Sequence, residues 1–387
     1  MTYKYNFNKL VNRLNSDSLK WNKYNNRNII PLWVADSDFY SPECIRQELK
    51  KRINHGIFGY GIEPKNLSEI IVKRFLKFYN WKIDPSWIVY INGVVSGLNL
   101  SIRTFTKKNA SVITYIPIYP PFIQSILLHH RIPKYIYLSH NKKKWILDPN
   151  ILNSEMLGNE KLIMLCNPHN PTGSVFSYKE LENILYFIKK HNLIICSDEI
   201  HCDLILQKKT KHIPFASIHP EAEQCSITFM SPSKTYNISG LNFAVAIIPN
   251  KKLRTKFILS KKKTLPNIDI FSFIAATTAW GNNQCNDWLT EQIKFLRKNR
   301  NILVNKINNI SYLNILKPYA TYLGWINCKN MKVTNPSLYF EKYGLKFSSG
   351  KDFGDSNFIR FNFACSRIIL YKALERIEYA INKLFIS

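Results

Sequence analysis

Five short apolar runs in this 387-residue chain each end in residues able to do chemistry. Residues 88–91 are followed by Asn92-Gly93-Val94-Val95-Ser96-Gly97, a small-residue turn opening a helix, whose backbone N–H groups suit a phosphate. Residues 111–116 lead into Pro117-Ile118-Tyr119-Pro120, which sets an aromatic ring at the end of the run. After 161–166 comes Asn167-Pro168-His169-Asn170-Pro171-Thr172-Gly173. Two Asn-Pro steps suppress helix and fix a rigid turn, leaving the Asn170 amide as a positioned donor. After 193–197 comes Asp198-Glu199-Ile200-His201, and an acid at the end of a buried strand needs a cationic or protonated partner. After 226–230 comes Ser231-Pro232-Ser233-Lys234, with Gly240 beyond. Alone, each is ordinary: the first is most simply a strand-to-helix turn, and a single lysine is most simply solvated.

The elements that must position these groups alternate. Apolar runs at 88–91, 111–116, 134–138, 161–166, 193–197, 226–230 and 243–248 read as strands. Between them, 97–106, 121–129 and 178–191 read as helices. Such alternation predicts an α/β fold with a mainly parallel seven-stranded sheet and helices on both faces, whose ligands gather at the C-terminal strand ends. A long helical pattern over 286–309 then leads into a smaller α+β unit, with strands near 320–327 and 358–363 and a closing helix at 368–384. The expected division is an N-terminal segment, 1–45, packing on the small domain; a large domain, 46–289; and a small C-terminal domain, 290–387.

Composition narrows the classes. Hydrophobic residues make up 45%, enough for a substantial core, and no repeat of solenoid length is present. The 54 Lys and Arg against 26 Asp and Glu give +28 at pH 7, a field that could attract nucleic acid or anionic membranes. The basic residues are nevertheless dispersed; the densest clusters, 142–144, 208–211 and 261–263, are short and lack interleaved aromatics. A solvated basic surface is expected, with no nucleic-acid partner. The eight cysteines form no C-x-x-C pair and lie mostly in apolar runs, so buried thiols are expected, not a disulfide framework or a metal site. No stretch approaches membrane-spanning length and residues 1–15 hold no apolar signal core, which reads as a soluble, cytoplasmic protein without membrane contact.

Taken together, the strand-end residues are the set that pyridoxal 5′-phosphate requires. That cofactor needs an amine to hold it, a carboxylate to keep its ring nitrogen protonated and a donor at its phenolate oxygen. It also needs a ring to stack on and a phosphate cup. The chain resembles the fold-type I pyridoxal-phosphate enzymes, the aminotransferase class I/II superfamily, over nearly its whole length. Within them it is similar to the C–S lyase branch, the cystathionine β-lyases of the MalY/PatB type. The marks are PLWVADSDF (31–39), HGIFGYG (55–61), CNPHNPTG (166–173), SDEIHCDL (197–204) and TYLGWI (321–326).

The resemblance implies roles. Lys234 would hold the cofactor covalently and then shuttle the proton. Asp198 would bind the ring nitrogen, Asn170 the phenolate oxygen and Tyr119 the ring face. His201 would stand where many aminotransferases have a tyrosine. Val94, Val95, Ser96 and Ser231 would hold the phosphate, joined by Tyr60 from the neighbouring subunit of a homodimer. Arg360 would clamp the substrate α-carboxylate, with Tyr119 and Asn170 beside it. One position departs from the pattern: eight residues after the lysine, relatives usually carry a cation, and this chain has Asn242.

The activity implied is cleavage of cystathionine, or another cysteine S-conjugate, to a thiol such as homocysteine, pyruvate and ammonia, a step of methionine biosynthesis. A class I/II aminotransferase shares the early steps and is the alternative. A binding or regulatory protein that keeps the fold is a third reading, disfavoured because the cofactor set is complete except at Asn242.

Overall fold

Leu162–Cys166 shows how the sequence builds the centre of the molecule. All five residues are buried, and they alternate: Leu162, Met164 and Cys166 enter one apolar cluster, Ile163 and Leu165 another. A strand with period 2 and no polar side must be covered on both faces. The computed structural model, which describes residues 5–23, 28–148 and 158–384, supplies both covers.

The large sheet has seven strands: β1 (Ile88–Ile91), β2 (Ser111–Ile116), β3 (Ile132–Tyr137), β4 (Leu162–Cys166), β5 (Ile194–Asp198), β6 (Ser226–Met230) and β7 (Ala244–Ile247). Their order is β1-β7-β6-β5-β4-β2-β3. All pairs are parallel except those of β7, which runs antiparallel to both β1 and β6. The expected α/β architecture is therefore present. The antiparallel strand was not separately anticipated, because a fully buried apolar run carries no sign of direction. It matters for the site: the entry to β7, Asn242-Phe243, arrives at the same sheet edge as the exits of the other strands.

Nine longer helices surround the two halves, among the described residues: α1 (Glu43–His55), α2 (Leu67–Tyr79), α3 (Val94–Phe105), α4 (Pro120–Leu128), α5 (Tyr178–His191), α6 (Lys251–Lys262), α7 (Ile270–Gly281), α8 (Asn283–Asn308) and α9 (Arg367–Leu384). Leu98 of α3, Phe122 of α4 and Phe257 of α6 cover one face of the sheet. Leu181, Ile184 and Ile188 of α5 cover part of the other. Helix α5 is bounded as its pattern predicts: Ser177 and Glu180 form a capping box, and Asn192 ends the helix in the left-handed region. Helix α3 starts three residues earlier than expected, because Gly93 takes φ +89°, a turn closed to most side chains, and lets Val94 begin the helix at once.

A second, antiparallel sheet is built from β8 (Asn314–Ile315), β9 (Leu323–Asn327), β10 (Ser348–Ser349) and β11 (Phe358–Asn362), in the order β8-β9-β11-β10. Strand β9 is shorter than expected, since 320–322 turn to the segment that follows β5, where Ala320 bridges Ile205. Ahead of the large sheet, Ile30–Pro31 pairs in parallel with Leu345–Lys346, so the N-terminal stretch enters the molecule beside the small sheet. Among the described residues no helix is long and apolar enough to cross a membrane.

Candidate active site

The exits of β1, β2, β4, β5 and β6 and the entry of β7 enclose a cavity of about 230 Å³. Its wall includes Val94, Val95 and Ser96, Tyr119, Asn170, Asp198, His201, Lys234 and Asn242. Nine of the residues singled out from sequence thus meet at one place. The turn residues Asn92 and Gly93 are there too, with the unflagged Ser233 and Ser239.

Each is held by its own element. Asp198 ends β5, where Oδ1 accepts from the Ile200 N–H at 3.0 Å. Burial pushes this carboxyl up to about 7, against the opposing backbone bond and the nearby Lys234. Lys234 Nζ donates to the Ala35 carbonyl at 3.0 Å, and burial lowers its pKa. His201 is buried with Nδ1 unpartnered. Burial, then the charges of Lys234 and Arg360, pull its pKa down to about 3, so the ring is neutral. Tyr119 caps α4 and packs on the Trp325–Phe353–Phe358 cluster of the small sheet.

The turn carrying Asn170 is clamped from across the molecule. Gly173 has φ +67°, and a Cβ there would come within 2.4 Å of Pro318 and 2.8 Å of the Ala320 carbonyl; its own carbonyl accepts from the Tyr319 and Ala320 N–H groups. Only glycine meets both demands. Asn170 Oδ1 accepts from Arg360 Nη1 at 3.0 Å, which orients the amide.

Arg360, in mid-strand β11, is buried, and Nη2 donates to the Trp33 carbonyl at 2.6 Å and lies 3.2 Å from Ser348 Oγ. It has no carboxylate partner among the described residues, and Nε finds no acceptor. Burial draws its pKa down to about 10. A buried, unneutralised guanidinium is an anion site.

The extended stretch 33–39 closes the cavity and holds these groups through its carbonyls. Trp33 serves Arg360; Ala35 serves Lys234 and Tyr322; Val34 and Asp36 serve the Asn362 amide at 2.6 Å each; Ser37 and Phe39 serve the Asn237 amide. Backbone outside any sheet must find such partners when buried. The motif was visible in sequence, but the use of its carbonyls was not, since a carbonyl leaves no signature in residue type.

Three singled-out residues are off the cavity wall in a single chain: Ser231, Tyr60, and Arg360, which reaches it through Asn170. Ser231 is not on the wall: its Oγ lies 2.6 Å from the Phe243 carbonyl and 2.9 Å from Ser233 Oγ, so the serine braces the lysine turn and Ser233 faces the space. Tyr60 is fully exposed in a run with exposed Ile57, Phe58 and Ile62, and does not reach the cavity of its own chain. The Ser96 hydroxyl is also spent, donating to the Asn92 carbonyl at 2.9 Å, which leaves its N–H for a ligand.

The profile of the family described as aminotransferase class I and II matches residues 27–377. The chain belongs to that family. Among curated relatives, cystathionine beta-lyase PatB of Bacillus subtilis (strain 168) is 31% identical over 97% of this chain and 100% of that protein. Among solved structures, one described as OvoB is 45% identical with a TM-score of 0.95, over 97% of this chain and 99% of that one. Cystalysin from Treponema denticola, whose structure contains pyridoxal 5′-phosphate, is 30% identical with a TM-score of 0.93, over 98% and 99%. This family member is a pyridoxal-phosphate enzyme of the C–S lyase and aminotransferase group.

Its residues fit that cofactor. A buried carboxyl at the cavity floor with a raised pKa is matched by a ring N–H cation. Helix α3 begins at the wall, and its first N–H groups have no intrahelical acceptor, which is the requirement of a phosphate. Asn242 adds no charge there; it sits in the left-handed region at φ +33°, a conformation Asn tolerates.

Proposed function

We propose that the enzyme is a C–S β-lyase that cleaves cystathionine or a related cysteine S-conjugate to a thiol, pyruvate and ammonia. The observation that carries this reading is the joining of Lys234, Asp198 and Asn170 on one cavity to the buried, unpaired Arg360. The branch of the relatives supports lyase over aminotransferase, since PatB and the Corynebacterium glutamicum protein, 28% identical, are both named cystathionine beta-lyases.

When bound, the cofactor supplies an electron sink that makes the substrate Cα–H acidic and lets the β-substituent leave. The chain's own part follows from geometry. Arg360 holds the α-carboxylate by a two-bond fork. Asn170, oriented by Arg360, presents its amide donor to the cavity. Asp198 holds a proton-bearing nitrogen at the floor. Lys234, whose amine is made less basic by burial and lies against the Ala35 carbonyl, takes the Cα proton once free. Neutral His201 adds no cation beside it. Tyr119 walls the cavity against water, and Tyr60 of a second copy completes the phosphate cup, so the working unit is a homodimer. In this reading residues 46–289 hold the cofactor, while 290–387 with 1–45 bring Arg360 and the 33–39 stretch to it.

Cystathionine incubated with the holoenzyme should give homocysteine and pyruvate in equal amounts, with no 2-oxo acid added. A strict requirement for a 2-oxo acid, with amino transfer and no thiol release, would make the protein an aminotransferase.

A further inference from the structure

A second cavity, of about 420 Å³, begins one residue beyond His201. It lies between the end of α2, the first half of α8 and the segments around Asp203 and His212. Its walls divide by chemistry. Phe78, Ile205, Leu289 and Ile293 form an apolar side, while Lys211, Lys294 and Arg297 bring positive charge.

The acids nearby are already spent. Asp203 is paired with buried Arg74 at 2.8 Å and accepts from the Tyr79 hydroxyl at 2.6 Å. Glu291 is paired with Lys294 at 2.6 Å. Lys211 and Arg297 have no carboxylate partner among the described residues; Arg297 Nε donates to the Leu206 carbonyl at 2.7 Å. The positive field extends along α8, where burial and the neighbouring Arg297 bring Arg300 down to about 10, and Lys317 is lowered by burial and by Arg300. His212, on the same wall, is only 5% exposed and is turned inward, with its Nε2 2.6 Å from Glu199 Oε2, so Glu199 too is engaged inside the fold and not in the cavity.

We propose that this cavity binds a small organic carboxylate with an apolar body, its charge toward Lys211 and Arg297 and its body against Phe78, Leu289 and Ile293. A bare inorganic anion would use the cations and leave the apolar wall wet, so the mixed lining selects an amphipathic ligand. The site is distinct from the Lys234 cavity and from Arg360, and shares with that cavity only the chain segment that runs from His201 into Cys202-Asp203.

Calorimetric titration of the holoenzyme with sodium benzoate tests the assignment, with inorganic phosphate as the second probe. Benzoate should bind Arg360→Leu, in which the carboxylate clamp is gone and which is the background for the variants that follow, and phosphate should bind it at least tenfold more weakly. The pair Lys211→Ala with Arg297→Gln should weaken benzoate at least tenfold. Because Arg297 also braces Leu206, a second variant guards against misfolding: Thr290→Glu, at an exposed position on the rim, offers a carboxylate in cis and should block benzoate with the melting temperature unchanged. Absence of binding in Arg360→Leu, survival of full affinity in Thr290→Glu, or phosphate binding as tightly as benzoate would each overturn the proposal.

Discussion

Arg360 Nη1 donates to Asn170 Oδ1 at 3.0 Å, and this bond joins the small sheet to the turn after β4 of the large one. It gives the Asn170 amide one orientation, with the oxygen facing the guanidinium and the nitrogen left to donate. It also makes any anion that approaches Arg360 a neighbour of the group aimed into the cofactor cavity. In the function proposed, recognition of a carboxylate and orientation of the cavity donor would therefore be served by one buried side chain.

Arg360→Lys should damage catalysis far more than folding. A single ammonium cannot serve Asn170, the Trp33 carbonyl and a carboxylate at once, and it lacks the planar fork. Steady-state kinetics should show KM raised and kcat lowered together, with kcat/KM down about a hundredfold, or about 2.7 kcal/mol. An unchanged kcat/KM would place the carboxylate clamp elsewhere.

The pH dependence of stability isolates Asp198. In the cofactor-stripped protein its carboxyl is raised to about 7, above an unfolded value near 3.9. The folded state then holds more protons than the unfolded state between those values, so stability falls as pH rises from about 4 to about 7 and is flat above. His201 and His169, both drawn down to about 3 by burial, act in the opposite sense, losing stability as pH falls from about 6.5. The difference between wild type and Asp198→Asn separates the two. Urea melts should show the stability of wild type relative to the variant falling across pH 4–7; a difference that rises with pH would contradict the environment described for Asp198.

Much of this site was legible because its groups sit at strand ends, and the strands were legible because each is buried on both faces. The runs at Ile88–Ile91, Ser111–Ile116 and Ser226–Met230 became strands with the bounds expected. The edge strand Ile132–Tyr137 begins two residues earlier than its apolar run, since Pro133 reads as a strand breaker and Ile132 ahead of it is exposed. What stayed hidden was anything carried by backbone: the direction of β7, the carbonyls of 33–39 and the bracing role of Ser231. Arg360 was placed by resemblance to the family, and the structure adds why it matters, since a buried cation without a counter-ion is visible only once the fold is known.

Asn242 should make the cofactor easier to lose. A charge-assisted bond to phosphate contributes about 1.5–3 kcal/mol where a neutral one gives about 0.5–1.5. Asn242→Lys should therefore slow cofactor loss on dialysis by roughly tenfold. Stability should drop by about 1 kcal/mol, because a lysine is less tolerant of the left-handed backbone there. Equal rates of loss, read from the absorbance of the bound cofactor, would mean another cation already serves the phosphate.

The exposed run Ile57, Phe58, Tyr60 and Ile62 should be covered by a second copy of the chain. Sedimentation should find a dimer for the wild type and monomers for Ile62→Glu, with the cofactor retained poorly by the monomers. Tyr60→Phe should stay dimeric and bind cofactor more weakly. A wild-type monomer with full activity would contradict the shared cup.

Every role proposed for the cavity depends on Lys234 as the residue that holds the cofactor. Borohydride reduction of the holoenzyme followed by peptide mapping measures this directly. The phosphopyridoxyl label should be on Lys234 and on no other lysine. A label elsewhere, or none, would contradict the assignment of this cavity as the active site.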